Sequence, residues 1–429
     1  MTLTPSHRLY GLGAIMFVAL LASTRVPGGV GAPLYLNTLA VAGVAYLLAV
    51  REIFAEPNFP RRVIVIGLVL AALWQIPFLM MTPGSDDDVH RYVWDGRVQR
   101  LGYNPYIVVP NDPAASALHT PETRTLNNPE VPSPYPAGAQ LFFRAVTAIH
   151  ESTTAFKVAF AACELAIALL LFAELHRLGR GERWIIVYAW NPLLAISVAQ
   201  SGHVDILGVL LLLLSAVALQ RRWRSFAAVA FGLAVAVKFL PIVLTPLYWR
   251  RVRVHDALLA VLIVGLLYLP FLHGASAPTG SLGTFVQRFR FNDPVFATLV
   301  RVASPQVVAS LAVLAGLAIS VWLRRRRDEY SPDTFAWPMA ASLLCAPVVY
   351  PWYLLWLLPF AQSVSTVPLI IWTVSIIPTF YVWHLRALGG QWHVPVWIML
   401  LEFGSVAAGG AIIVFRRFTR PAVAQCSSE

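Results

Sequence analysis

Three consecutive carboxylates, Asp86, Asp87 and Asp88, stand directly before a segment in which apolar and aromatic residues are interleaved with charged ones. Like charges a few ångströms apart raise one another's pKa, so this cluster is unfavourable unless something neutralises or uses it. Clustered carboxylates can exchange a proton in a reaction or hold a divalent cation through their oxygens. The cluster therefore indicates an active site.

Lys238 is a second chemically unusual residue, because it interrupts the apolar run 226–249. An ammonium group in such a run is strongly destabilising unless it is paired or hydrated, so Lys238 predicts a resident anion. A plainer interpretation is an ion pair with Asp205 or with a carboxylate of the loop 82–152. Asp205, which we expect at the start of a helix, is an equally good candidate for a simple helix cap.

The elements that must position these residues are apolar enough to lie in a lipid bilayer. Hydrophobic residues make up 58% of the chain and charged residues 12%, whereas a soluble domain has about 45–50% and about 25%. The sequence therefore predicts an all-α, polytopic integral membrane protein. Its first apolar run lacks a cleavage pattern, so we expect a retained helix. The runs long enough to cross the roughly 30 Å hydrocarbon core are 9–24, 33–50, 63–81, 153–174, 184–200, 203–220, 256–273, 306–323, 366–384 and 395–415.

Basic residues predict the orientation, because loops on the cytoplasmic side are enriched in Lys and Arg. All basic clusters stay inside only if two interrupted runs, 226–249 and 335–361, each enter the membrane and return as a pair of short helices. Both termini are then cytoplasmic, the loop 82–152 lies outside, and the membrane segments total about 11–14. Lys238 and Tyr350-Pro351-Trp352 form hairpin tips that point toward this loop. The clusters lie at Arg61-Arg62, 177–183, 221–224, 250–253, 324–327 and 416–420.

The outer loop 82–152 is longer than a typical connection, which favours a functional loop. We expect an amphipathic helix lying on the membrane over 86–101, ended by Gly102, and a second helix over 136–150. Seven prolines between them predict an irregular, rigid segment. Asp95 is expected to form an ion pair with Arg91, one helical turn before it.

Net charge and cysteine content exclude several other classes of function. The charge of +11 is explained by orientation and by anionic lipids, so we expect no nucleic-acid partner. Cys163, Cys345 and Cys426 have no metal-site spacing, which argues against a zinc site or a disulfide framework.

The outer loop resembles that of a known enzyme family. Residues 87–97, Asp-Asp-Val-His-Arg-Tyr-Val-Trp-Asp-Gly-Arg, and 102–106, Gly-Tyr-Asn-Pro-Tyr, resemble the first outer loop of GT-C glycosyltransferases that use polyprenol-phosphate sugars. Bacterial lipid-linked mannosyltransferases are the most similar of these. His90 departs from the pattern, in which an aromatic such as Tyr is expected, and Asp86 is an additional acid. Further similar segments within 80–360 are Tyr135-Pro136-Ala137-Gly138, Trp190-Asn191-Pro192, Ser201-Gly202-His203-Val204-Asp205, Val237-Lys238-Phe239-Leu240-Pro241 and Pro351-Trp352-Tyr353-Leu354-Leu355-Trp356.

The resemblance implies one membrane domain over 1–429, in a bacterial inner membrane, with 82–152 as its extracytoplasmic catalytic loop. It implies transfer of a hexose, with mannose as the best guess, from a polyprenol-phosphate donor to a hydroxyl of a lipid or glycan acceptor, with inversion. Asp88 aligns best with the family's general base, and Asp87 is the alternative. No cofactor is expected besides the donor, and a divalent metal is possible but not predicted.

The leaving phosphate of such a donor needs cations near the outer surface. The candidates are Lys238, His203, Arg97, Arg288 and Arg290. Tyr350, Trp352 and Tyr353 are candidates for contact with the sugar or the isoprenoid chain. The alternative for these aromatics is an ordinary interfacial belt.

Two other functions compete with glycosyl transfer. A transporter or flippase of a lipid-linked sugar would also have many spans, but related halves with charged residues at mid-membrane are expected of it. An oligosaccharide ligase with a diphosphate-linked donor would favour an Arg-rich outer loop, whereas 274–305 contains only Arg288, Arg290 and Arg301.

Overall fold

A computed structural model describes residues 4–84, 87–273, 278–326 and 331–419, with the backbone alone for 416–419. The described chain is all-α, as predicted, and contains no β-strand beyond isolated bridges. Its α-helices are α1 (Pro5–Ser23), α2 (Pro33–Ala55), α3 (Arg61–Met80), α4 (Asp88–Arg100), α5 (Ala137–Ile149), α6 (Thr153–Arg177), α7 (Ile185–Ala189), α8 (Pro192–Leu194), α9 (Asp205–Gln220), α10 (Arg224–Val237), α11 (Thr245–Tyr248), α12 (Val254–Tyr268), α13 (Leu282–Arg288), α14 (Pro294–Leu299), α15 (Pro305–Arg326), α16 (Asp333–Leu344), α17 (Val367–Ser375), α18 (Tyr381–Ala387) and α19 (Val396–Thr419). A π-helix covers Ala195–Gln200, and short 3₁₀ helices include Pro113–Leu118, Leu240–Leu244, Pro351–Trp356 and Leu358–Phe360.

Eight helical segments of the described chain are long and apolar enough to cross a bilayer, so the chain is an integral membrane protein. They match eight of the predicted runs. The predicted total of about 11–14 also counts shorter segments. The run predicted at 184–200 is divided into short helices, whereas 203–220 forms the single helix α9. Pro192–Gln200 and Asp205–Gln220 meet at an angle of 120°. The eight are Pro5–Ser23, Pro33–Ala55, Arg61–Met80, Thr153–Arg177, Val254–Phe271, Pro305–Arg326, Val364–Ala387 and Val396–Phe415.

The first interrupted run forms the predicted hairpin. Ser225, at the start of α10, hydrogen-bonds to Asp256 at the start of α12, so the chain between them returns to the end from which it came. Lys238 follows the last residue of α10 and lies at the tip.

The second interrupted run returns in the same way. Ser365 donates to Asp333, at the start of α16, over 2.8 Å. Tyr350 precedes the 3₁₀ helix Pro351–Trp356, which begins the return.

Ion pairs gather the basic clusters at 61–62, 177–183 and 221–224 at one end of the helix bundle. Glu174 pairs with Arg177 and Arg221, which joins the ends of α6 and α9. Arg61 at the start of α3 pairs with Glu182, which follows α6. Because α3 runs from this end to the other, Gly84, Asp87 and Asp88 lie at the opposite end, as the charge pattern predicts.

Helix α4 corrects one expectation about the outer loop. It begins at Asp88 and ends before Gly102, near the predicted bounds, but Asp86 lies outside the described residues. The helix does not lie on a membrane surface, because its residues from Val89 to Gln99 are almost all buried. Arg91 is bonded within the loop 82–152, where it donates to the carbonyls of Asn128 and Val131. Helix α5 forms near its predicted position.

Candidate active site

Asp88 is the first residue of α4, and its carboxylate is partly open. Asn127 donates to its Oδ1 over 2.6 Å, and Nδ1 of His203 lies 3.5 Å from its Oδ2. The side chain is 18% exposed. Burial acts to raise the pKa of Asp88, but His203, Asn127 and the charge of Lys238 together hold that pKa below its ordinary value. Asp88 is therefore ionised at neutral pH and able to accept a proton.

Asp87 differs from its neighbour. It is only 9% exposed, and its Oδ2 accepts the backbone N–H of Gly84 over 2.7 Å. Burial raises the pKa of Asp87 to about 6, although the charge of His203 acts in the opposite direction. Of the two candidate bases, Asp88 is the more exposed and the more readily ionised.

Lys238 forms the ion pair that the plainer interpretation predicts. Its Nζ donates to Oδ1 of Asp205 over 2.6 Å and lies 3.5 Å from the centre of the Tyr353 ring. The same Asp205 oxygen accepts the indole N–H of Trp356 over 2.8 Å. The Lys238 side chain is 23% exposed, and an ammonium has three donors. A role in donor binding stays a prediction, and the geometry leaves it possible.

His203 belongs to a stack of three rings. Its imidazole lies on Trp352 with centroids 3.7 Å apart, and Trp352 stacks on Tyr350 at 4.5 Å. The imidazole is buried, and its Nε2 has no hydrogen-bond partner among the described residues. A buried polar atom of this kind is costly unless a water or a ligand meets it. The structure thus brings five predicted candidates into one cluster with Asp88: Lys238, His203, Tyr350, Trp352 and Tyr353.

Tyr350, Trp352 and Tyr353 form what we call the aromatic wall. Contacts of Asn292 and Glu402 hold the segment next to it. The segment at Phe291 pairs with Val349 through a backbone hydrogen bond of 2.9 Å, directly before Tyr350. Asn292 then donates to both carboxylate oxygens of Glu402, in α19, at 3.0 Å. The sequence signal for this contact was weak: a single Glu in the apolar run 395–415.

Three predicted phosphate ligands lie elsewhere. Arg97 donates to Glu151 over 2.6 Å and to the Leu118 carbonyl over 2.7 Å, which ties the outer loop together. Arg290 donates to backbone carbonyls near its own position, including that of Phe289, and Arg288 is exposed on α13. Within the described chain none of the three has a hydrogen bond or ion pair with Asp88, Lys238 or His203. Their role in donor binding stays a prediction without support from the geometry.

Sequence reasoning missed two residues that shape the surroundings of the carboxylates. Asn127, which contacts Asp88, lies in the irregular proline-rich segment and has no sequence signal. Lys157 is buried in α6 and donates to the carbonyls of Phe78 and Met81, at 3.0 and 2.5 Å. Its signal was a cation inside an apolar run, the same signal that identified Lys238. Lys157 therefore binds carbonyl groups at the C-terminal end of α3, the helix that precedes Asp87 in the chain.

No group of three or more His, Cys, Asp or Glu side chains in the described ranges could hold a metal ion. Asp86 and Cys426 lie outside those ranges, so metal independence stays a prediction. Cys163 and Cys345 are free thiols.

Comparisons with known proteins agree on one family. A family model described as "Alpha-(1->6)-mannopyranosyltransferase, N-terminal domain" matches residues 11–252. The chain is 27% identical over 339 residues to alpha-(1->6)-mannopyranosyltransferase A of Mycobacterium tuberculosis (strain ATCC 25618 / H37Rv). The match covers 68% of this chain and 64% of that relative's length. No solved structure matches significantly. The family match includes Asp88, His203 and Lys238 but not the aromatic wall at 350–353.

Proposed function

The chain belongs to the alpha-(1->6)-mannopyranosyltransferase family, and we propose that it transfers mannose from a polyprenol-phosphate donor to a hydroxyl of a glycolipid or glycan, with inversion. The single observation that carries this proposal is the contact between Asp88 and His203 beside Lys238. It places an ionised, partly open carboxylate next to cationic and aromatic groups. A base and an anion site side by side are what this transfer requires.

In the proposed reaction, the acceptor hydroxyl oxygen attacks the anomeric carbon of mannose while the bond from that carbon to the phosphate oxygen breaks. The hydroxyl proton passes to Asp88, and polyprenyl phosphate leaves with the bonding electrons. General-base help of this kind typically contributes about 10²–10⁴-fold to the rate. The pKa of Asp88 lies below its ordinary value, so the group starts in the carboxylate form that the step needs.

Lys238 and His203 are the proposed contacts of the leaving phosphate. Within the described ranges the Lys238 ammonium has one hydrogen-bond partner, Asp205, so two of its three N–H donors remain for phosphate oxygens. Nε2 of His203, which has no hydrogen-bond partner in the same ranges, supplies another donor. Both groups stabilise negative charge that develops on the phosphate as it leaves. Tyr350, Trp352 and Tyr353 are the proposed aromatic contacts of the sugar; Trp352 is covered by His203 and Tyr350, so we expect contact through ring edges.

The proposed side of catalysis is extracytoplasmic. The basic clusters at 61–62, 177–183 and 221–224 lie at one end of the bundle and Asp88 at the other. Basic ends of membrane proteins favour the cytoplasm. Cysteines introduced at Ser116, in the outer loop, and at Asn58, near the basic end, form a matched pair in a chain whose native cysteines are replaced. We expect an impermeant thiol reagent to label Ser116→Cys in intact cells and Asn58→Cys only after permeabilisation. The reverse pattern would place the site on the cytoplasmic side.

Activity is tested with the purified full chain, radiolabelled polyprenol-phosphate-mannose and a glycolipid extract from membranes. We expect label in a glycolipid product, with formation of polyprenyl phosphate in equal amount. An α-linked product from a β-linked donor would support inversion. Transfer from a nucleotide-mannose in place of the polyprenol donor, or no transfer at all from a folded protein, would contradict the proposal.

A further inference from the structure

His90 lies in the first turn of α4, between two backbone carbonyls. Its Nδ1 is 2.7 Å from the carbonyl oxygen of Glu122, and its Nε2 is 3.0 Å from that of Gly84. Carbonyl oxygens only accept hydrogen bonds, so a neutral ring donates to one of the two carbonyls, and only a protonated ring donates to both. The side chain is buried, which makes these polar contacts more valuable than they would be in water.

The contact with Gly84 ties His90 to the residues that precede Asp88. The Gly84 carbonyl that meets His90 also accepts the backbone N–H of Asp87 over 3.1 Å. The Gly84 N–H in turn donates to the Asp87 carboxylate. These two contacts hold Gly84 against Asp87, directly before Asp88 begins the helix.

The contact with Glu122 ties His90 to the segment that carries Asn127, the hydrogen-bond partner of Asp88. Glu122 is held twice, because its backbone carbonyl meets His90 and its carboxylate accepts the N–H of Thr153, at the start of α6, over 2.8 Å. Five residues later Asn127 donates to Asp88 over 2.6 Å. The His90 ring thus joins the segment that precedes Asp88 in the chain to the segment that carries its hydrogen-bond partner.

We propose that His90 is a positioning residue for Asp88: its ring fixes Gly84 relative to the Glu122–Asn127 segment, and so sets the orientation of the base. This inference rests on the proposed function, in which Asp88 is that base. An apolar ring of similar size would fill the same space but make neither contact. Histidine is therefore required by its two nitrogens and not by its bulk.

The test compares His90→Phe with His119→Phe. His119 lies in the same loop, and its ring likewise meets backbone carbonyls, at 2.9 Å for Pro110 and 3.2 Å for Thr123. Phe can keep the stacking of that ring on Trp94. The control therefore removes contacts of the same kind, one of them within the 121–128 segment, but leaves the contact between His90 and Gly84 in place. We measure kcat, the KM for polyprenol-phosphate-mannose, and amide hydrogen exchange of the 84–88 and 121–128 segments.

In His90→Phe we expect kcat to fall by roughly tenfold or more, because a misplacement of about 1 Å can cost about 10²-fold. Donor KM should stay within about twofold of the parent value, since Lys238 and the aromatic wall are untouched. Exchange should accelerate in both segments. His119→Phe should keep the parent kcat. A parent-like kcat in His90→Phe, or equal kcat losses in both variants, would overturn the proposal.

Two further outcomes remain decisive. If the parent protein transfers no mannose, the proposed function fails, and hydrogen exchange alone tests the role of His90. Faster exchange in both segments of His90→Phe supports the proposal that His90 holds them together, and unchanged exchange overturns it. If His90→Phe does not fold, His90→Gln is measured in the same way. Its amide can keep one of the two contacts, so an intermediate loss of kcat supports the proposal and a parent-like kcat overturns it.

Discussion

Helix α4 carries two carboxylates, Asp88 at its first residue and Asp95 in its middle, and their surroundings are opposite. Asp95 is fully buried and is contacted by Arg91 at 3.1 Å, by Gln140 at 3.0 Å and by Ser133. Asp88 is partly open: among the described residues, Asn127 contacts one oxygen, and the other has only the long contact to His203. Asp95 is thus saturated with protein donors, whereas Asp88 keeps an oxygen accessible, as its proposed role as the base requires.

The electrostatics follow the same division. Burial raises the pKa of Asp95 even though Arg91, Ser133 and Gln140 act to lower it. At Asp88 burial is outweighed by His203, Asn127 and Lys238, and the pKa falls below its ordinary value. The sequence Asp-x₆-Asp contains neither difference, because each depends on side chains from distant parts of the chain.

Substitution of the open carboxylate, Asp88, should give the largest effect on activity. Asp88→Asn keeps the size and one acceptor oxygen but removes the basicity, so we expect kcat to fall by about 10²–10⁴-fold. Asp87→Asn should lose less, through its effect on the charge and position of Asp88. Steady-state transfer by the two purified variants measures this order. A normal Asp88→Asn enzyme beside an inactive Asp87→Asn enzyme would move the base by one residue.

Substitution of the buried carboxylate, Asp95, should instead lower the stability of the fold. Asp95→Asn leaves the buried guanidinium of Arg91 without its carboxylate, and breaking a buried pair typically costs about 3–5 kcal/mol. We expect a clear drop in the melting temperature of the detergent-solubilised protein. Asp112→Asn is a suitable control, because Asp112 is exposed and caps only a short 3₁₀ helix. Equal melting temperatures for the two variants would contradict the structural role assigned to Asp95.

Lys238→Met tests the cation beside the open carboxylate. The apolar part of the side chain remains, but the phosphate loses an ammonium, so donor affinity should fall by roughly tenfold or more, in line with about 1.5–3 kcal/mol for a hydrogen bond to a charged group. Binding of a polyprenol phosphate measures this directly. Lys238→Arg, which keeps the charge and the pair with Asp205, is the matched control. Unchanged affinity in a folded Lys238→Met protein would make the lysine a structural partner of Asp205 alone.

The smallest expected effect is the pH dependence contributed by Asp87. Its pKa is raised from an ordinary 3.8 to about 6 by burial, so the folded state binds more protons than the unfolded state between these values. Stability therefore falls as pH rises through this window, by at most about 3 kcal/mol for about two pKa units. Asp87→Asn should raise the melting temperature relative to the parent at about pH 7 but hardly at about pH 4. A difference that is the same at both pH values would contradict this assignment.

Much of the fold follows from apolar length and charge, and much less of the site does. The spans were predictable from apolar length. The first hairpin was predictable because it keeps the basic clusters at 221–224 and 250–253 on one side of the membrane, and the second because it does the same for 324–327 and 416–420. The ion pair of Lys238 was predictable because a cation in an apolar run needs a partner. The burial of α4 was not, since its mean polarity suggests a surface helix and its partners come from an irregular segment. Nor was the approach of Asn127, 39 residues from Asp88 in sequence.

The most direct test of the account is a single-turnover measurement on Asp88→Asn and Asp95→Asn proteins saturated with polyprenol-phosphate-mannose. Mixing with acceptor then reports the chemical step alone, independent of donor binding and product release. We predict that Asp88→Asn binds donor like the parent protein but forms product at least about 10²-fold more slowly. Folded Asp95→Asn should form product within about tenfold of the parent rate. A fast first turnover in Asp88→Asn, or a slow one in Asp95→Asn alone, would contradict the assignment of the open carboxylate as the base.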